Sequence, residues 1–167
     1  IYNESFKIYN ELGDSTQIAV NLKLMALNRD LYKSSEALGL FNRAYNISLA
    51  VGDSINASAT LSSMGLCFLG IGEYRKAEES IIEALELDPS NSFSINNLGL
   101  VYSAWGQSEK ALLQYKQALK IANKNNIADK RAELNNIGNA YEHLGDYDLA
   151  IEYYEKSLKL SEELGFN

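Results

Sequence analysis

The sequence predicts an all-α protein, a solenoid of stacked antiparallel helix pairs. Three observations predict it. One hydrophobic spacing recurs three times, in register, along the 167 residues. Pro89 is the sole proline, which suits long helices with short connections better than a strand-rich fold with many turns. Glycine and aspartate recur where helices should stop and start.

The repeated spacing is clearest at Ile95, Leu98, Gly99 and Tyr102. It returns at Leu134, Ile137, Gly138 and Tyr141, and stands earlier at Leu61, Met64, Gly65 and Phe68. With 3.6 residues per turn these side chains share one helical face. A second helix follows each time, marked by a small residue and a large apolar one: Ala77 and Ile81, Ala111 and Tyr115, Ala150 and Tyr154. A further small residue closes each stripe, at Ala84, Ala118 and Ser157. Glycine inside a helix costs about 1 kcal/mol against alanine. Its presence at Gly65, Gly99 and Gly138 predicts close approach of the second helix, with Ala77, Ala111 and Ala150 as the matching small residues. Gly72, Gly106 and Gly145 are placed to end the first helices.

A degraded copy precedes these. Asn21, Leu24, Met25 and Asn28 take its first-helix positions, without the glycine, and Ala37, Phe41 and Ala44 its second. Before it, Tyr2, Ser5, Phe6 and Ile8 match the end of a second helix, so the chain reads as starting in mid-repeat, cut from something longer. The intervals from Met25 to Gly65 and from Gly99 to Gly138 exceed the ~34 residues between Gly65 and Gly99. The extra residues should lengthen helices by about a turn. Gly52 with Asp53, and Gly13 with Asp14, fit a helix stop followed by the next N-cap.

The pattern resembles the tetratricopeptide repeat: W-x2-L-G-x2-Y, then A-x3-F, then a small residue and sometimes the proline that Pro89 supplies. The longer repeats resemble those of kinesin light chains and of bacterial signalling proteins built from the same repeat. The resemblance implies a right-handed superhelical array of nine helices: a partial repeat over 1–13, then repeats at about 18–53, 58–91, 92–125 and 131–164. It also implies that first helices line a concave groove where ligands lie.

Little in the sequence points to catalysis. His143 is the only histidine, so a Ser-His-Asp site with a second candidate base has no residues to use. Cys67 is the only cysteine and lies in an apolar stretch; a disulfide within the chain is excluded and a core position is expected. Gly65 to Gly72 lacks the Lys-Ser or Lys-Thr of a phosphate loop, and Glu73 would repel phosphate. The net charge of -7 disfavours nucleic acid, and no apolar run approaches a membrane span. No cofactor is expected, and a cytoplasmic location fits the cysteine usage.

What remains is a surface. On the first helices a stripe facing away from the packing stripe includes Ser63, Leu66, Phe93, Asn97, Leu100, Asn136, Asn139 and His143. Asn97 and Asn136 stand at equivalent repeat positions. An amide donates and accepts, so such a row can hold an extended peptide backbone without reading its sequence. Lys23 is the stripe's only basic residue, which disfavours the lysine clamp by which some relatives hold a C-terminal carboxylate. The expected function is therefore a protein-interaction scaffold that binds a peptide or helix of a protein partner in the groove. The alternative is a regulatory peptide-sensing segment of a larger signalling protein, a sensor kinase or transcriptional regulator.

Overall fold

The computed structural model describes residues 14–28, 35–121 and 127–163. Among them are eight α-helices: α1 Ser15–Ala26, α2 Ser35–Ala50, α3 Ser54–Gly70, α4 Tyr74–Leu87, α5 Ser92–Ala104, α6 Ser108–Ile121, α7 Ile127–Leu144 and α8 Tyr147–Glu163. They pair in order, α1 with α2, α3 with α4, α5 with α6 and α7 with α8. The partial helix expected over 1–13 lies outside the described residues. No described helix is long and apolar enough to cross a membrane.

The ends of the helices follow from their capping residues. Gly52, Gly72, Gly106 and Gly145 all have positive φ, between 75° and 82°. At Gly72 the backbone N–H of Glu73 reaches back to the Phe68 carbonyl (2.9 Å), and that of Gly72 to Leu69 (3.0 Å). This paired arrangement satisfies carbonyls that the helix end would orphan, and only a residue without Cβ takes the left-handed turn cheaply. Asp14, Asp53, Asn91 and Asp146 accept from the N–H three residues on, capping α1, α3, α5 and α8.

The extra residues of the long repeats lie in the helices, as expected. α3 has 17 residues and α7 has 18, against 13 for α5. In α3 and α7 the added turn is at the N-terminus, so these helices start some four residues before the repeat boundaries read from the motif, about one turn.

The chain divides into two compact units, Ile1–Pro89 and Ser90–Asn167. In the first, Ala26, Ala37, Phe41, Leu61, Met64, Cys67 and Ala84 form the core. Cys67 is fully buried, as a small core residue should be. The degraded repeat needs a correction of register. Leu22 and Ala26 are buried while Leu24 is 37% exposed. Ala26, not Met25, is therefore the small residue at the helix crossing. Asp14, Leu22 and Ala26 repeat the spacing of Asp53, Leu61 and Gly65.

In the second unit the buried residues include Ile95, Leu98, Val101, Tyr115 and Ile137. The helix glycines do sit at close crossings, but the residue that meets them is the large one. A Cβ on Gly99 would lie 2.5 Å from the Tyr115 ring, and one on Gly138 2.6 Å from the Tyr154 ring. At Gly65 it would lie 2.4 Å from Ile81, with the Ala77 carbonyl at 3.0 Å. The small alanines let the backbones approach, and the next turn's large side chain fills the notch left by the glycine. Two hydroxyls tie pairs together: Ser58 donates to the Ala84 carbonyl at 2.8 Å, and Ser157 to that of Arg131 at 3.0 Å.

Candidate functional site

In the first unit the first-helix face is formed by α1 and α3. Ser63 is buried and its hydroxyl donates to the Ala59 carbonyl of its own helix at 2.9 Å. Its expected place in the groove is thus corrected: the hydroxyl is consumed inside α3. Leu66 is half-buried. The polar feature here is a chain of three residues. The Lys23 ammonium donates to Asn56 Oδ1 at 3.3 Å, and Asn56 Nδ2 donates to Asp53 Oδ2 at 2.6 Å. Burial pushes the Lys23 pKa down, partly opposed by the Asp53 carboxylate. The Asn56 backbone and side-chain hydrogen bonds hold Asp53 below its usual value.

In the second unit the face is formed by α5 and α7. Phe93 is 57% exposed at the start of α5, and Leu100 is half-buried. Asn139 and His143 are exposed on α7, and Asn136 is half-buried. Asn97 is only 1% exposed. It cannot present its amide to a ligand on this face, and the expected Asn97–Asn136 row is corrected accordingly. Asn97 lies on the packed side of α5, and its neighbour Asn96, about 100° round the helix, takes the outward place. Asn136 Nδ2 donates to Asn96 Oδ1 at 2.9 Å, bridging α5 and α7. That bond leaves the Asn96 NH2 group and the Asn136 carbonyl outside it, one donor and one acceptor side by side.

Asn96 is the residue that sequence reasoning missed. The tandem asparagines at 96–97 and 135–136 gave the residue type but not which member faces out. Next to the bridge, the Tyr154 hydroxyl lies 2.6 Å from both Asn139 Oδ1 and Glu142 Oε2. Burial first, and then the hydrogen bond to Glu142, push the Tyr154 pKa up to about 12. Among the described residues no three His, Cys, Asp or Glu side chains group as metal ligands. The arrangement offers hydrogen bonds and an exposed aromatic ring, which suits recognition of a polypeptide.

Comparison with known proteins agrees with this architecture. Family models described as tetratricopeptide repeat match residues 59–91, 82–113 and 132–164. Over 55 residues the chain is 34% identical to the photosystem I assembly protein Ycf3 of Synechococcus sp. (strain CC9605). That match covers 33% of this chain and 32% of Ycf3, so the chain spans about a third of that relative. The crystal structure of BtubC (BKLC) from P. vanneervenii is similar with a TM-score of 0.82 at 21% identity, covering 99% of this chain and 72% of that one. A putative kinesin light chain of Podosopora anserina with nearly identical TPR-like repeats gives a TM-score of 0.64 at 17% identity, covering 99% and 95%. At these identities the two structures show the fold alone.

Proposed function

The chain belongs to the tetratricopeptide repeat family, whose members are protein-interaction scaffolds, and on that premise we propose that its first-helix face holds an extended peptide or helix of a partner protein. The observation that carries the reading is the Asn136–Asn96 bridge. Its spare donor and acceptor match the alternating N–H and C=O groups of an extended backbone. Phe93, exposed on the same helix as Asn96, supplies an aromatic anchor of the kind that dominates interfaces. Asn139 and His143 extend the polar side. Binding makes and breaks no covalent bond. The short likeness to a protein named for photosystem I assembly supports a scaffold that brings proteins together over the sensor reading.

The test compares two baits. The wild-type chain and a Phe93→Ala, Asn136→Ala, Asn139→Ala variant are used to capture partners, and each captured partner is then titrated by calorimetry. Losing a typical hydrogen bond costs about 0.5–1.5 kcal/mol, so the variant should bind at least several-fold more weakly while keeping its helical spectrum. A partner that binds both baits equally well would place its site elsewhere and remove the groove from the proposal.

A further inference from the structure

A second feature lies on the second helices of the 90–167 unit. Between α6 and α8 is a cavity of about 570 Å3 lined by Leu113, Lys116, Gln117, Leu119, Lys120 and Tyr153. Its volume falls within the ~300–1,000 Å3 of ligand-sized sites. Three apolar or aromatic side chains form its walls and two lysines enter it. No lining residue is acidic, in a chain whose net charge is -7.

The lysines differ in freedom. The Lys116 ammonium donates to the Tyr141 hydroxyl at 2.7 Å and lies 5.0 Å from the centroid of that ring. The Tyr141 ring in turn packs 5.5 Å from Tyr153, so one tyrosine braces both the cation and the wall. Lys120 is exposed at the rim. The nearby Lys156 is paired with Glu152.

The side chains that line this cavity are not those of the first unit. Counted from the small residues Ala37 and Ala77, the first unit has Asn42 and Asn46 where Lys116 and Lys120 stand, Arg43 for Gln117 and Tyr45 for Leu119. There the Tyr45 hydroxyl reaches from α2 to Glu83 of α4 at 2.6 Å and bridges the helices. In the second unit the corresponding pair is Leu119 and Lys156, which forms no such bridge. Lysines thus stand at 116, 120 and 156, where the first unit has Asn42, Asn46 and Glu83.

We propose that this cavity receives a short segment of a partner protein in which leucine-type side chains are flanked by carboxylates. The apolar side chain packs on Leu113, Leu119 and the Tyr153 ring, and the carboxylates meet Lys116 and Lys120. Fixed Lys116 sets the register, while Lys120 closes over the rim. This site stands apart from the first-helix face and does not depend on it.

The experiment titrates the full chain into a fluorescein-labelled peptide, Asp-Glu-Leu-Leu-Asp-Glu, with Asn-Gln-Leu-Leu-Asn-Gln as the uncharged comparison, and reads anisotropy. The acidic peptide is expected to bind at least about tenfold tighter than the uncharged one and to weaken as salt rises. Lys120→Glu and Lys116→Gln should each weaken it by about tenfold or more, and Phe93→Ala should leave it unchanged. Lys120 is exposed, so its variant keeps the melting temperature and loss of binding is not loss of fold. Methyl shifts at Leu113 and Leu119 on titration supply an independent location. Equal binding of both peptides, an undiminished affinity in Lys120→Glu, a loss in Phe93→Ala, or no binding up to about millimolar protein would each overturn the proposal.

Discussion

Two glycine-to-alanine substitutions within helices of this chain should change stability in opposite directions. Gly39 lies inside α2, exposed, and a Cβ there would meet nothing within 4 Å. Alanine at that site gains only the helix-propensity advantage, about 0.5–1 kcal/mol. Gly99 also lies inside a helix, but its new Cβ would fall 2.5 and 2.7 Å from two Tyr115 ring carbons. Carbon atoms pack at about 3.5–4.0 Å, so the overlap is about 1 Å. The Tyr115 ring is 2% exposed and has no solvent to retreat into. Overpacking of this kind costs about 1–3 kcal/mol, which outweighs the same propensity gain and leaves a net loss of up to about 2 kcal/mol. Gly99→Leu should lose more. In a chain of this size 1 kcal/mol moves the melting temperature by about 2–4 °C. Thermal melts followed by circular dichroism should therefore place Gly39→Ala above wild type and Gly99→Ala below it. If Gly99→Ala gains as much as Gly39→Ala, the ring is not pinned and the account of the helix crossing is wrong.

Other expectations follow from single contacts. Ser58→Ala removes the buried bond to the Ala84 carbonyl and should cost about 1–3 kcal/mol, read in urea melts. Asn97→Ala should destabilise by a similar ~1–3 kcal/mol because its amide is buried, whereas Asn139→Ala on the exposed face should stay within about 0.5 kcal/mol. Asp53→Ala should cost about 0.5–2 kcal/mol through the lost α3 cap. Because folding lowers the Asp53 pKa, that contribution is complete above the unfolded value, 3.8, and fades as the pH drops through the folded one. The gap between wild type and Asp53→Ala should therefore narrow in melts taken below pH 3.8.

The fold was legible because three repeats state the same pattern and each states it with residues that have a steric reason. Gly65, Gly99 and Gly138 are costly in a helix unless something fills their notch, and Ile81, Tyr115 and Tyr154 do. The first repeat departs from the motif by one residue: Ala26 lies 11 residues before Ala37, where Gly65, Gly99 and Gly138 lie 12 before Ala77, Ala111 and Ala150. The cap Gly13-Asp14-Ser15 repeats Gly52-Asp53-Ser54 and carried the correct register. The face was only partly legible. Tandem asparagines one residue apart differ by about 100° of rotation, and which one turns outward is decided by packing against the neighbouring pair. The α6–α8 cavity was not legible at all. Its walls come from two second helices distant in sequence, which no local pattern brings together.

The Tyr154 hydroxyl carries one proton and has two acceptors at equal distance, Asn139 and Glu142. In the proposed docking, a chain that claimed the Asn139 amide would leave that proton a second acceptor in Glu142, so no polar group would be stranded. The same tyrosine fills the notch over Gly138. One side chain thus anchors the helix pair with its ring and has a choice of acceptors at its tip, so the proposed docking would leave the packing beneath unchanged.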